Sequence, residues 1–214
     1  MSVHVIYYKN GAKMMRPVTT REEYLSLRNT DFQQKAVAAI RRGDTTLKSK
    51  LLQMNYSCLP NEDGSLKGST RMSTTVGMDI DHLPEGQLQT VKESILSKAN
   101  ELGLLMLELS ARGRGYHLVF KRREELSQEE NLRWASRLLG VDYDPGAKDI
   151  TRVFFTTTEA DLLYLNDEIF DPSEAILKTT DCTDSTDFQK TTNSTNYTNK
   201  TGNIKTTDCS DSTD

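Results

Sequence analysis

The chain has 214 residues, 36% of them hydrophobic, and a formal net charge of −4 at pH 7. This length allows one domain of ordinary size with an appendage. The small negative charge argues only weakly against nucleic acid, because the distribution of charge matters more than its sum. The three cysteines, Cys58, Cys182 and Cys209, have neither zinc-site nor disulfide-framework spacing, so a structural zinc is not expected.

The N-terminal third of the chain predicts a mixed αβ segment. Alternating apolar residues indicate a strand, Asn-Gly indicates a turn, and Thr20-x-x-Glu23 is a capping box that begins a helix. The expected elements are a strand over residues 3–8, a turn at Asn10 and Gly11, a short helix after Thr20, a helix over 31–40 that ends near Gly43, and a helix over 48–54.

From residue 75 onward the predicted order is strand, helix, strand, strand, helix, strand. The expected bounds are a strand over 75–81, a helix from Pro84 to Gly103, strands over 104–109 and 116–120, a helix from the Ser127 capping box to Leu139, and a strand over 153–157. This order is that of an α+β fold of the ferredoxin-like, RRM type.

Two acids one residue apart, Asp79 and Asp81, stand out in the first of these strands. Side chains alternate along a strand, so both carboxylates project from one face while Met78 and Ile80 turn into the core. Paired carboxylates on a rigid backbone suit Mg²⁺ or Mn²⁺, which often meet substrate phosphates as well. The alternative is an edge strand with two solvated acids.

A glycine-rich loop follows two strands later. Ser110, Gly113 and Gly115 leave backbone N–H groups open to an anion, and Arg112 and Arg114 add positive charge. His117 comes directly afterwards, and its ring can hydrogen-bond a phosphate oxygen. The alternatives are an ordinary hairpin turn with basic flanks and a structural histidine.

An acidic turn precedes the last predicted strand. Asp144 and Asp149 both lie in it, and Arg152 follows them. An ordinary acidic turn is the alternative interpretation.

The last 37 residues, 178–214, predict a disordered low-complexity tail. They contain no Leu, Val, Met or Trp and carry two near-copies of one decapeptide, so they lack the apolar surface of a core. The tail holds three glycosylation sequons, at Asn193, Asn196 and Asn199. The N-terminus has no signal-peptide design and no run of membrane-spanning length, so we expect a cytoplasmic protein with no membrane partner.

Taken in order, these motifs resemble the archaeo-eukaryotic primase superfamily. The chain looks most like the primase-polymerase-type domain at the N-terminus of VirE-like proteins of bacterial mobile elements. The stretches that carry the resemblance are Leu59-Pro60, Arg71, VGMDID, SARGRGYHLVF and DITRVFF, between about residues 3 and 170. Many members of the superfamily have Ser two residues before the His, where this chain has Gly115.

The resemblance implies a catalytic domain over residues 1–177 that consists of a primase core with an N-terminal αβ extension. It also implies a DNA primase or primase-polymerase that makes primers on single-stranded DNA during mobile-element replication. Asp79, Asp81 and Asp144 would hold two divalent ions, Mg²⁺ or Mn²⁺, about 4 Å apart, with His117 as a further catalytic residue. The loop residues 110 and 112–115, together with Arg152, would bind the nucleoside triphosphate. We prefer Asp144 to Asp149 as the third acid, because the motif places its Asp several residues before the Arg.

Two other functions fit parts of the same pattern. The first is a weak or inactive primase-like module that binds nucleotides or single-stranded nucleic acid, since the chain lacks the helicase that often accompanies such domains, and a helicase would then act in trans. The second is a glycosyltransferase with an Asp-x-Asp metal site, which the glycine-rich loop and the following basic run disfavour.

Overall fold

The computed structural model describes residues 2–84 and 86–171, and these form an α+β structure with two antiparallel sheets. The predicted tail over 178–214, its three sequons, Cys182, Cys209 and residues 172–177 of the predicted domain lie outside the described residues. No helix within the described ranges is long and apolar enough to cross a membrane.

The first sheet is built mainly from the N-terminal segments. Its strands are β1 (His4–Lys9), β2 (Ala12–Pro17), β3 (Gln53–Asn55) and β7 (Phe154–Phe155), in the order β2-β1-β3-β7. The predicted strand and its turn are confirmed. Asn10 and Gly11 have φ of 52° and 77° and close a two-residue hairpin between β1 and β2. The return strand β2 was not predicted.

Two capped helices follow this hairpin, as predicted. They are α1 (Arg21–Arg28) and α2 (Asp31–Arg41), and the side chains of Thr20 and Thr30 accept from the first turn of each. The predicted helix over 48–54 is wrong. A 3₁₀ turn (Thr45–Lys50) leads instead into β3, because the backbone at 53–55 pairs with β1 on one side and β7 on the other.

The second sheet contains the first three strands that were predicted from residue 75 onward. Its strands are β4 (Thr75–Ile80), β5 (Leu104–Leu109), β6 (Tyr116–Lys121) and β8 (Leu162–Leu165), in the order β4-β6-β5-β8. The helices of this region are α3 (Gln87–Ser97), α4 (Ala99–Leu102) and α5 (Gln128–Leu139). Since β6 lies between β4 and β5, the segment from β4 to β5 is a split β-α-β unit.

The helix predicted from Pro84 to Gly103 is corrected at its start and in its middle. Gly86 has φ of 86°, outside the helical region, so α3 begins only at Gln87. The helix is interrupted at Lys98, and Gly103 ends α4 in the left-handed conformation, as predicted.

The last predicted strand, 153–157, is corrected in length and in sheet. Only two of its residues form β7, which joins the first sheet beside β3. A four-stranded ferredoxin-like sheet would need this strand beside β4. That edge is occupied, because the backbone N–H of Asp144 bonds the carbonyl of Asp79 and the hydroxyl of Ser57 accepts from the backbone N–H of Gly77. The fourth strand of the second sheet is β8, at the opposite edge beside β5, and the sequence did not indicate it.

The second sheet has a hydrophobic cluster on each face. Val76, Met78 and Ile80 pack on the side of α3 and α5. The other face packs against a cluster that includes Tyr24 of α1, Met54 of β3 and Phe154 of β7. Polar side chains on this second face therefore lie beneath the N-terminal segments and are withdrawn from water.

The buried histidine His4 generates a prediction about pH. Its burial lowers the pKa from 6.5 to about 4, and its Nδ1 has no hydrogen-bond partner among the described residues. Below about pH 6.5 the unfolded chain binds a proton at this residue that the folded chain does not. Protonation should therefore lower the free energy of unfolding by up to about 3 kcal/mol as the pH falls from 6.5 towards 4.

Urea denaturation of the wild type and His4→Gln at pH 7 and pH 4.5 isolates this effect, because the other titrating groups are common to both proteins. The difference between their free energies of unfolding should shift in favour of the variant at pH 4.5. A difference that is the same at both pH values would contradict the prediction.

Candidate functional site

A small cleft lies at the carboxyl end of β4 and the amino end of β6, and its residues come from four parts of the sequence. Its lining consists of Lys48, Asp79, Asp81, Ser110, Ala111, Arg112 and His117. Five of these are residues that the sequence singled out, and they come from the Asp-x-Asp strand, the glycine-rich loop and β6. The register of the second sheet brings them together, because Asp79 on β4 lies directly opposite His117 on β6.

His117 lies between carboxylates on the two neighbouring strands, and one of them holds its ring. Glu108 on β5 lies opposite it, and Oε1 of Glu108 is 2.8 Å from Nδ1 of the ring. Nε2 is 3.7 Å from Oδ1 of Asp79. Burial lowers the pKa of His117, but the hydrogen bond to Glu108 and the charges of both carboxylates outweigh it, so the pKa lies above its ordinary value.

Asp79 is almost fully buried, and burial raises its pKa despite the opposing effects of His117 and Arg152. The charges of Asp81 and Asp144 raise this pKa as well, so three acids act on one another here. Such mutual repulsion is what a bound cation would relieve. Asp81 is more accessible; its Oδ1 accepts from the N–H of His82.

Arg152 joins Asp144 to Asp79. Its Nη2 is 3.1 Å from Oδ2 of Asp144 and 3.4 Å from Oδ2 of Asp79. Asp144 is also tied to β4 through its backbone N–H, which lies 2.7 Å from the carbonyl oxygen of Asp79. A side chain at Gly146 would meet the Arg152 guanidinium, since its Cβ would lie 2.2 Å from Nη1. Asp149 instead accepts from the backbone and hydroxyl of Thr151, in its own turn.

The glycine-rich loop closes the hairpin between β5 and β6. The N–H of Gly113, which has φ of 69°, donates to the carbonyl of Ser110. Both arginines of the loop are exposed. Arg112 lines the cleft, whereas Arg114 does not, and the backbone carbonyl of Arg114 accepts from the N–H of Leu83. Ser110 is buried, and its Oγ has no hydrogen-bond partner among the described residues. Ser110 therefore lines the cleft with a hydroxyl whose hydrogen-bonding capacity no described residue uses.

The basic run that follows the loop does not form one continuous patch. Arg122 is largely buried and donates to the carbonyls of Ser73 and Thr75. The Arg123 guanidinium lies 3.8 Å from the centre of the Trp134 ring. These two arginine side chains contact other parts of the protein, so they contribute little to an anion-binding surface at the cleft.

Sequence reasoning missed Lys48 and Glu108. Lys48 comes from the 3₁₀ turn before β3, where no motif marks it, and it reaches the cleft only through the fold. Glu108 did carry a signal, as the single charged residue of an otherwise apolar strand. A charge in such a strand is expected to be paired when it is buried.

The donor set allows a test of whether a divalent ion fits. The described residues contain no group of three or more His, Cys, Asp or Glu side chains able to hold a metal. Two carboxylates line the cleft, and Mg²⁺ is often held by one or two carboxylates together with substrate phosphates. The donors therefore suit an ion that is bound together with its substrate.

Comparisons of this chain with protein-family models, with curated proteins and with solved structures found no match.

Gly115 generates a testable prediction, because the surrounding backbone leaves no room for a side chain at this position. A Cβ here would lie 2.0 Å from the carbonyl oxygen of Ile80, at the end of β4. Gly115→Ser should therefore force β4 and the loop apart and destabilise the fold by about 3 kcal/mol. Chemical denaturation measures this, with Arg114→Ser as the exposed neighbouring control. Equal stability of the two variants would show that the close approach is not a constraint.

Proposed function

We propose that this protein is a divalent-metal-dependent nucleotidyltransferase of the primase or primase-polymerase type. It would synthesise primers on single-stranded DNA in mobile-element replication. One observation carries the proposal: a single cleft has two carboxylates, Asp79 and Asp81, beside a group of anion-binding side chains. These are Lys48, Ser110, Arg112 and His117.

The two sides of the cleft suit the two halves of a metal–nucleotide complex. Asp79 and Asp81 would hold Mg²⁺ or Mn²⁺, which lowers the pKa of an attacking hydroxyl and neutralises phosphate charge. Lys48 and Arg112 would bind triphosphate oxygens as cations, and Ser110 would donate from its free hydroxyl. His117 would present Nε2 to the same oxygens. Catalysis would then rest on positioning and electrostatics.

Arg152 favours a second candidate, a module that binds nucleotides or single-stranded DNA without polymerising them. Its guanidinium already contacts the carboxylates of Asp79 and Asp144 and partly offsets their charge. A two-ion centre that uses Asp144 would need Arg152 to move away from that carboxylate. A module that binds one metal–nucleotide complex would need no such movement.

The proposed function predicts that the protein synthesises oligonucleotides in vitro. Wild-type protein with Mn²⁺, a single-stranded DNA template, and labelled ribo- or deoxynucleotides should yield oligomers on a denaturing gel. Asp79→Asn should reduce the yield at least about 100-fold, because the ion loses a principal ligand. Nucleotide binding without any product would instead support the second candidate, and absence of both would refute the two together.

Lys48 allows a matched control within the same assay. Lys48→Met should weaken nucleotide binding roughly tenfold, because it removes a charge that faces the cleft. Lys50→Met changes an exposed lysine of the same 3₁₀ turn that does not line the cleft, and it should leave the affinity within about twofold. Equal effects of the two substitutions would place the nucleotide elsewhere.

The third metal-binding acid is predicted to be Asp144 and not Asp149. Asp144→Asn should impair synthesis strongly, since Asp144 lies beside Asp79 and shares Arg152 with it. Asp149→Asn alters a carboxylate that bonds only its own turn in the observed contacts, so synthesis should continue. Product yield and melting temperature are measured for both, and the reverse pattern of yields would assign the role to Asp149.

A further inference from the structure

Glu108 is completely buried, and both of its carboxylate oxygens are held in place. Oε2 pairs with Nη1 of Arg28 on α1, and it also accepts from the backbone N–H and the hydroxyl of Thr157, at 3.2 and 2.9 Å. Oε1 is left for Nδ1 of His117. The position of this carboxylate is therefore set by β5, by α1 and by the segment after β7.

Arg28 is itself held on its other side. Its Nη2 donates to the hydroxyl of Tyr24, and its guanidinium lies 4.2 Å from the centre of the Tyr24 ring. The hydroxyl of Tyr24 is 3.1 Å from that of Tyr56. A chain of buried contacts thus runs from the N-terminal helix to the ring of His117.

This arrangement settles which nitrogen of His117 faces the cleft. An ionised carboxylate only accepts hydrogen bonds, so Nδ1 carries a hydrogen and is directed at Glu108. Nε2 is then left on the side of Asp79. The edge of the ring also packs against Phe154, with centroids 5.4 Å apart, which restricts rotation.

We propose that Glu108, held by Arg28 and Thr157, is a positioning residue that fixes the ring of His117 so that Nε2 meets a bound nucleotide phosphate. This inference rests on the proposed function, and it adds to the site three residues from outside the predicted motifs. Glu108 and Thr157 do not line the cleft, so they act through His117 and not on the ligand.

The direct variant, Glu108→Gln, leaves Arg28 buried without its counter-charge and is expected to unfold. A milder substitution is Thr157→Val, which removes one hydrogen bond to Glu108 and keeps the side-chain shape. Thr156→Val is the matched control, because Thr156 is equally buried but its hydroxyl bonds the carbonyl of Leu52. Both variants should fold, with similar losses of melting temperature.

Two readouts separate positioning from stability. Imidazole-labelled NMR of the ligand-free protein follows the His117 Nδ1–H proton, and with three histidines in the chain His4→Gln and His82→Gln complete the assignment. Equilibrium binding of ATP and dATP with Mn²⁺ gives the affinity. Thr157→Val should speed exchange of this proton with water and weaken nucleotide binding, each roughly three- to tenfold, whereas Thr156→Val should change neither more than about twofold.

The outcomes are distinguishable. If the wild type binds nucleotide but the two threonine variants behave alike in both readouts, the positioning role is overturned while the proposed function stands. If the wild type binds no nucleotide, the proposed function fails, and the inference that depends on it fails as well. Selective loss in Thr157→Val, in the proton signal and in affinity together, supports the inference.

Discussion

The fully buried ion pair between Arg28 and Glu108 is the constraint on which the rest of this structure depends. Withdrawing two charges from water is expensive, and it is tolerated only when further hydrogen bonds satisfy both groups. Here Tyr24, Thr157 and His117 provide most of these bonds, and Nε of Arg28 has no partner among the described residues. The charge of Arg28 and the hydrogen bond from His117 overcome the effect of burial and lower the pKa of Glu108 to about 2. Loss of one partner would cost about 3–5 kcal/mol, because the other charge would remain buried alone.

The pair also explains how a polar site can form inside an apolar interface. Asp79, His117 and Glu108 occupy adjacent positions across three strands, on the sheet face that the N-terminal segments cover. The inner end of this row is neutralised by Arg28, and the outer end opens into the cleft at Asp81. Solvent exposure therefore rises from the fully buried Glu108 to the partly exposed Asp81. The buried contacts hold the side chains in place, and the exposed side leaves the site accessible.

Local patterns predicted those elements whose signals lie within a few residues of each other. The Asn10-Gly11 hairpin, the capped helices and the strand at 75–80 are examples. Long-range pairing decided the rest. Residues 53–55 became a strand because β1 and β7 bracket them, and β8 has no strong alternation of its own. In the site, the motif residues could be named individually, but Lys48 and Thr157 reach it only through tertiary folding.

The chain of contacts that begins at α1 limits which fragments of this protein can fold independently. The recognisable motifs all lie after residue 58, so the remaining N-terminal residues look like a separable extension. They nevertheless supply Arg28, the counter-ion of Glu108, and Lys48 at the cleft. A fragment that begins near residue 70 would retain the Asp-x-Asp strand, the loop and His117, yet would expose an unpaired carboxylate on an uncovered apolar sheet face. The smallest autonomous unit is therefore larger than the stretch that contains the motifs, and the first fifty residues belong to the site as much as to the scaffold.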